Sequence, residues 1–161
     1  IRDDLVTGVQ TCALPIFMAG LKEVRSIAAA EMKDGQSLME DDGFRRQLAE
    51  TEIAIKAMEF TELRILSSLS AGKNVGPESS LLKCRGTELQ MQVSELYLQA
   101  VGDYGLPFDN PGPEKGINRD PIGPDYASVA APRYFNLRKT AIYAGSNEIQ
   151  RNIMAKMVLG L

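Results

Sequence analysis

The chain has 161 residues, 44% hydrophobic and 24% charged, enough for one domain with a sizeable core and not comfortably for two. The formal net charge is -3 with both signs interspersed, which argues against a general nucleic-acid binder, and no apolar run is long enough to cross a bilayer. Histidine is absent and the two cysteines, Cys12 and Cys84, are far apart; His-based triads, His-ligated zinc or haem and a disulfide framework are therefore excluded.

The opening segment, Ile1 to Ile16, fits no element. Gly8 and Pro15 break a helix and no alternation marks a strand. Val6 to Ile16 instead reads as the translation of a common short-read sequencing adapter. We therefore expect residues 1–16 to be non-native, with 17–161 forming the domain and Cys12 and any apparent leader set aside. Cys84 then remains as a lone, buried apolar side chain rather than a nucleophile.

From Phe17 onward the pattern is helical. Met18, Leu21, Val24 and Ile27/Ala28 recur at three- and four-residue steps and predict a first helix ending near Asp34-Gly35. Asp41 or Asp42 caps a long second helix, whose stripe is Phe44, Leu48, Ile55, Met58/Glu59, Leu63, Leu66 and Leu69, interrupted by one charged position. A turn at residues 74–78 feeds a third helix through Leu81/Leu82, Leu89, Val93, Leu96 and Ala100. Gly86 in its middle marks close helix packing. A loop rich in proline and glycine occupies residues 102–125, a length that points to function or mobility. A fourth helix is predicted from Pro132 to Tyr143. The Ala144-Gly145-Ser146 turn leads to a last helix, Asn147 to Leu159, with Ile149, Ile153, Met157 and Leu161, or the row one step over, facing inward. The fold class is all-α: an antiparallel four-helix-type bundle with a short additional C-terminal helix.

The stretch Ile142-Tyr143-Ala144-Gly145-Ser146-Asn147-Glu148-Ile149-Gln150-Arg151-Asn152-Ile153 resembles the C-terminal signature of acyl-CoA dehydrogenases. Gln99 to Gly105 resembles the family's glutamine-then-glycines motif, and Leu48-Ala49-Glu50 is a weaker match. The resemblance implies FAD as cofactor, an acyl-CoA thioester as substrate, and an electron-transfer flavoprotein or similar acceptor as partner. It also implies a homo- or hetero-oligomer, and a soluble cytoplasmic enzyme is the default. It places Gly145, Ser146 and Glu148 at the flavin edge. Gln99 and Gly102 hold the dinucleotide portion of a flavin from a neighbouring subunit. Lys156 stands where the family often has a basic residue near CoA. Each also has a plainer role: Ser146 as a helix cap, Gln99 as a surface polar group, Glu148 as a first-turn acid, Lys156 as a solvated last-turn cation.

The chain also departs from the family pattern. Ala144 occupies the usual glutamate position, so no catalytic residue is assigned. Glu31 and Asp34 replace the arginine and phenylalanine that grip a neighbour's cofactor, and Asp103 replaces a glycine. Three functions stay open: a piece of a flavin-dependent acyl-CoA dehydrogenase that is inactive alone, a non-catalytic subunit of a heteromeric dehydrogenase, or a helical interaction module without cofactor. An oxidase of the same architecture is a variant of the first.

Overall fold

The structure is a computed structural model and describes residues 13–74, 76–107 and 122–160. Cys12, most of the proline-rich loop and Leu161 lie outside the described residues. Among those described, the elements are α1 (Ala13–Ala30), β1 (Met32–Lys33), β2 (Gln36–Ser37), α2 (Asp42–Ser70), α3 (Glu78–Val101), α4 (Ala130–Leu137) and α5 (Asn147–Leu159). Short 3-10 turns cover Leu38–Glu40, Gly102–Gly105 and Arg138–Ala141. α3 is the hub, with α1, α2, α4 and α5 all packed on it.

Helix α1 starts earlier than expected, taking in Ala13 to Ile16, and Leu14 packs against the core. Pro15 is tolerated because first-turn N–H groups have no partner within a helix. Its far end also differs from expectation: the helix stops at Ala30 instead of reaching Asp34-Gly35. Met32 and Lys33 pair antiparallel with Ser37 and Gln36, and Asp34 and Gly35 both take positive φ, 53° and 82°. Two consecutive residues of that kind make the tight hairpin turn that Asp-Gly favours. The glycine caps no helix; it reverses the chain.

Phe17, Leu21, Val24, Ile27 and Ala28 of α1 are all buried. A Cβ on Gly20 would lie 2.9 Å from Val93 Cγ1, so the absence of a side chain lets α1 approach α3. The expected role of Gly86 is borne out in the same way, since its Cβ would meet Met58 Cε at 3.3 Å. Asp41 caps α2, its carboxylate accepting from Phe44 N at 2.7 Å.

The inner row of α2 is Phe44, Leu48, Thr51, Ile55, Met58, Glu62 and Ile65. Leu63 and Leu66, expected inside, are 54% and 38% exposed. From Ile55 the steps of three, four and three residues keep Met58, Glu62 and Ile65 on the face that Gly86 lets α3 approach. Leu63 and Leu66 sit one position round the helix.

Glu31, at the end of α1, accepts a 2.5 Å hydrogen bond from the Tyr126 hydroxyl. Tyr97 in turn donates to the Tyr126 carbonyl at 2.9 Å. This ties the segment after the long loop to α1 and α3. The hydrogen bond to Glu31 pushes the Tyr126 phenol up to about 12, against an ordinary value near 10. A phenol whose pKa is raised on folding contributes stability below pH 10 and loses it as pH climbs through 12. The stability difference between the native chain and Tyr126→Phe is therefore expected to shrink between pH 10 and pH 12. Thermal melts of both proteins across that range check this; a difference that stays constant would show the bond to be idle.

Candidate functional site

The Ala144-Gly145-Ser146 turn is built from both sides. Upstream, α4 begins at Ala130, two residues before the expected Pro132, and loosens into a 3-10 turn at Arg138 instead of continuing to Tyr143. Arg138 is the reason the segment stays attached. Its guanidinium donates to Met91 O and to Ser94 Oγ, both at 2.8 Å, and lies 4.2 Å from the Tyr134 ring centroid. The α4 end is thereby pinned to α3 while the backbone unwinds toward the turn.

Downstream, the turn is anchored by Asn147. Its side chain is 3% exposed. Lys83 Nζ donates to Asn147 Oδ1 at 2.8 Å, and Asn147 Nδ2 donates to Thr87 Oγ1 at 3.1 Å. The Cys84 thiol points at the Asn147 carbonyl at 3.6 Å. Burial pulls the Lys83 amine below its ordinary value and pushes the Cys84 thiol up, so the thiol stays protonated at neutral pH. That agrees with the reading of Cys84 as packing rather than chemistry.

Between these anchors the chain turns sharply. Ala144 has φ 56° and Gly145 φ 87°. Left-handed backbone at alanine is costly, of order 1–2 kcal/mol, and glycine carries it freely. Ser146 then caps α5, its hydroxyl facing Ile149 N at 3.4 Å. Glu148 sits in the first turn. Hydrogen bonds from its own backbone N–H and the Ser146 hydroxyl hold its carboxyl below the usual range, so it is ionised at neutral pH and is poorly suited to take up a proton.

Ala144, Gly145 and Glu148 are exposed and Ser146 is half-buried. The turn is thus a bare backbone edge with no side chain larger than a methyl group at its two sharpest positions. Gln99 and Gly102 stand elsewhere. Asn147 packs beside Lys83 and Thr87, early in α3, whereas Gln99 lies three turns beyond Thr87, roughly 18 Å at 1.5 Å per residue. Gln99 is exposed, and Gly102 ends α3 with φ 61° and ψ -137°, a combination reserved for glycine. Asp103 beside it is exposed. Lys156 is also exposed, in the last turn of α5. The structure brings together Gly145, Ser146 and Glu148, and leaves Gln99, Gly102 and Lys156 apart from them.

The residues that fix the turn, Lys83, Thr87, Arg138 and Asn147, were not legible beforehand. Asn147 reads as an ordinary first-turn residue, and its partners lie 64 and 60 positions away. The inward row of α5 is Asn147, Gln150 and Met154, one step from Ile149, Ile153 and Met157, which are 54%, 38% and 59% exposed.

Residues 8–159 match the family model for the acyl-CoA dehydrogenase, C-terminal domain. The chain belongs to the acyl-CoA dehydrogenase family. An acyl-CoA dehydrogenase of Bacillus subtilis (strain 168) is 26% identical over 153 residues, covering 95% of this chain and 36% of the relative. Butyryl-CoA dehydrogenase from Megasphaera elsdenii superposes with TM-score 0.70 at 21% identity, covering 96% of this chain and 36% of that one. The ChsE4-ChsE5 complex from Mycobacterium tuberculosis gives TM-score 0.68 at 22% identity over 90% of this chain and 35% of its match. The last two show the fold alone, the all-α bundle of the acyl-CoA dehydrogenase C-terminal domain. This acyl-CoA dehydrogenase domain spans about a third of the length of its relatives. Among the described residues no helix is long and apolar enough to cross a membrane, and no group of acidic or cysteine side chains is placed to hold a metal.

Proposed function

We propose that the chain is the C-terminal bundle of a flavin-dependent acyl-CoA dehydrogenase, one that presents a backbone edge to the flavin ring and is inactive alone. The observation that carries this reading is the exposed Ala144-Gly145 backbone, held between Arg138 on one side and buried Asn147 on the other. Such an edge, rigid and free of bulky side chains, admits a planar ring against main-chain groups.

The residues fit FAD selectively. The uncharged edge of the ring suits the turn, where Ser146 and the first N–H groups of α5 supply polar contacts. A phosphate does not suit it, because the Glu148 carboxylate already occupies the positive end of α5. Gln99 and Gly102, at the far end of α3, offer uncharged polar groups to a different part of a flavin, and their separation from the turn supports their serving one held by a second subunit. Asp103 beside them weakens any pyrophosphate contact there.

When bound, FAD accepts the β-hydride of an acyl-CoA thioester whose α-proton a carboxylate removes. This chain contributes binding and orientation to that reaction. Ala144 cannot take a proton and Glu148 is committed to its own helix, so the base comes from outside the turn. Lys156, in the last turn of α5, is placed for a CoA phosphate only if another segment approaches that end. The acceptor would be an electron-transfer flavoprotein or similar carrier, and the oligomer homo- or heteromeric.

A second reading, a subunit without a base beside an active partner, is favoured by Ala144 alone. One experiment separates the readings: purify the chain by itself and joined to what its gene encodes upstream. The chain alone is expected to be colourless. The joined protein is expected to carry flavin absorption that acyl-CoA bleaches. Flavin that no acyl-CoA bleaches would favour the partner subunit; no flavin in either protein would favour a cofactor-free helical module.

A further inference from the structure

Gln150 reaches back over the Ala144-Gly145-Ser146 turn. Its backbone N–H donates to Ser146 O at 3.0 Å, which sets it one helical turn along from the cap. Side chains on a helix lean toward its N-terminus, and the Gln150 carboxamide follows that direction: a Cβ on Gly145 would lie 2.7 Å from Gln150 Nε2. Gly145 is therefore glycine for two reasons, its φ of 87° and the amide that fills the space beside it.

The other polar side chains of the turn are committed. Ser146 Oγ faces Ile149 N as the cap, and its hydroxyl donates to the Glu148 carboxyl. Glu148 is ionised and offers acceptors only. Asn147 is buried, with its amide given to Thr87. Gln150 is half-buried, and its side chain makes no hydrogen bond among the described residues. From residue 144 to residue 150, it alone combines access to solvent with an uncommitted N–H donor. A carboxamide held over the turn without a bond of its own gains most from a ligand that brings an acceptor to that spot.

We propose that Gln150 is a further cofactor-contacting residue, whose carboxamide donates a hydrogen bond to an acceptor atom on the edge of the flavin ring that lies against Ala144 and Gly145. This rests on the dehydrogenase reading above. The ring gains electrons in that reaction, and a hydrogen bond strengthens as its acceptor becomes more negative. The Gln150 donor therefore holds the reduced ring more tightly than the oxidised one and raises the reduction potential. Neither Ser146, spent on its cap and on Glu148, nor the Glu148 carboxylate is free to make that contribution.

The test uses the chain joined to what its gene encodes upstream, as native protein and with Gln150→Met, Gln150→Glu and Gln150→Lys, all unbranched side chains of similar length. FAD affinity is read by absorbance and the flavin midpoint potential by dye equilibration. Gln150→Met loses the donor; FAD is expected to bind more weakly, by at most about tenfold for one hydrogen bond, and the potential is expected to fall. Gln150→Glu is expected to lower the potential further, because a carboxylate opposes the incoming charge. Gln150→Lys keeps an N–H donor and adds positive charge, and is expected to bring the potential to the native value or above it. If Gln150→Met fails to fold by circular dichroism, the other two variants carry the test, since lost packing alone does not shift a potential in opposite directions. The proposal is overturned if the flavin-loaded protein shows one potential in every variant, even where binding weakens, because Gln150 would then only prop the turn. A common potential in protein whose flavin acyl-CoA bleaches removes this proposal and leaves the dehydrogenase reading standing; a native joined protein without flavin removes both.

Discussion

Asn147→Ala is expected to destabilise the chain by about 2–3 kcal/mol and to free α5 from the bundle. The side chain is buried and joins two partners on α3: it accepts from the Lys83 ammonium and donates to Thr87. A hydrogen bond to a charged group is worth more than a neutral one, and removing one partner from a buried set leaves the others unsatisfied at a cost of roughly 1–3 kcal/mol. Little else on α5 compensates. Its outward row of Ile149, Ile153 and Met157 touches solvent, and the ion pair from Arg151 to Glu88 lies at the surface. Urea unfolding should show a lower midpoint with an unchanged slope, which marks a loss of stability rather than a change of denatured state. Hydrogen exchange should speed up first across residues 147–159. Asn147→Asp keeps an acceptor for Lys83 and loses only the donation to Thr87, so it should retain most of the lost stability. If alanine at this position left α5 as protected as before, Asn147 would not be the anchor of the turn.

The turn shows what sequence can and cannot carry. Gly145 followed by Ser146 announces a reversal with a capped helix after it, because both residue types have local reasons to be there. The Asp41 cap of α2 and the close packing at Gly86 were legible for similarly local reasons. What holds these features in place is non-local. Lys83 and Asn147 are 64 residues apart, and Arg138 reaches Met91 across 47; no pattern within a helix links such pairs. The helix rows were only partly legible, for another reason. In α5 apolar residues stand in two adjacent rows, so periodicity alone could not choose, and the tertiary choice fell on the row that carries Asn147. At Asp34-Gly35 the glycine suggests a helix cap when α1 is followed by its periodicity alone, but the pair has a stronger preference for a hairpin.

Helix α2 allows the same point to be measured. Ile55→Ala is expected to cost about 2–5 kcal/mol, and Leu63→Ala within about 0.5 kcal/mol of nothing. Both residues belong to the apolar stripe that the sequence suggests, and they differ only in where the stripe turns on meeting α3. Ile55 is fully buried, whereas Leu63 is 54% exposed. Removing three methyl or methylene carbons from Ile55 forfeits their burial and leaves a void. The void closes poorly, because α2 is held at a fixed distance from α3 where Met58 fills the space beside Gly86. Leu63, more than half exposed, gives up little buried surface. Paired thermal and urea unfolding of the two variants decides between the rows. Equal losses would mean that α2 is rotated from the position described, bringing Leu63 inward. A large loss at Ile55 alone would fix the face of α2 that α3 covers, and with it the packing on which the α3 anchors of the turn depend.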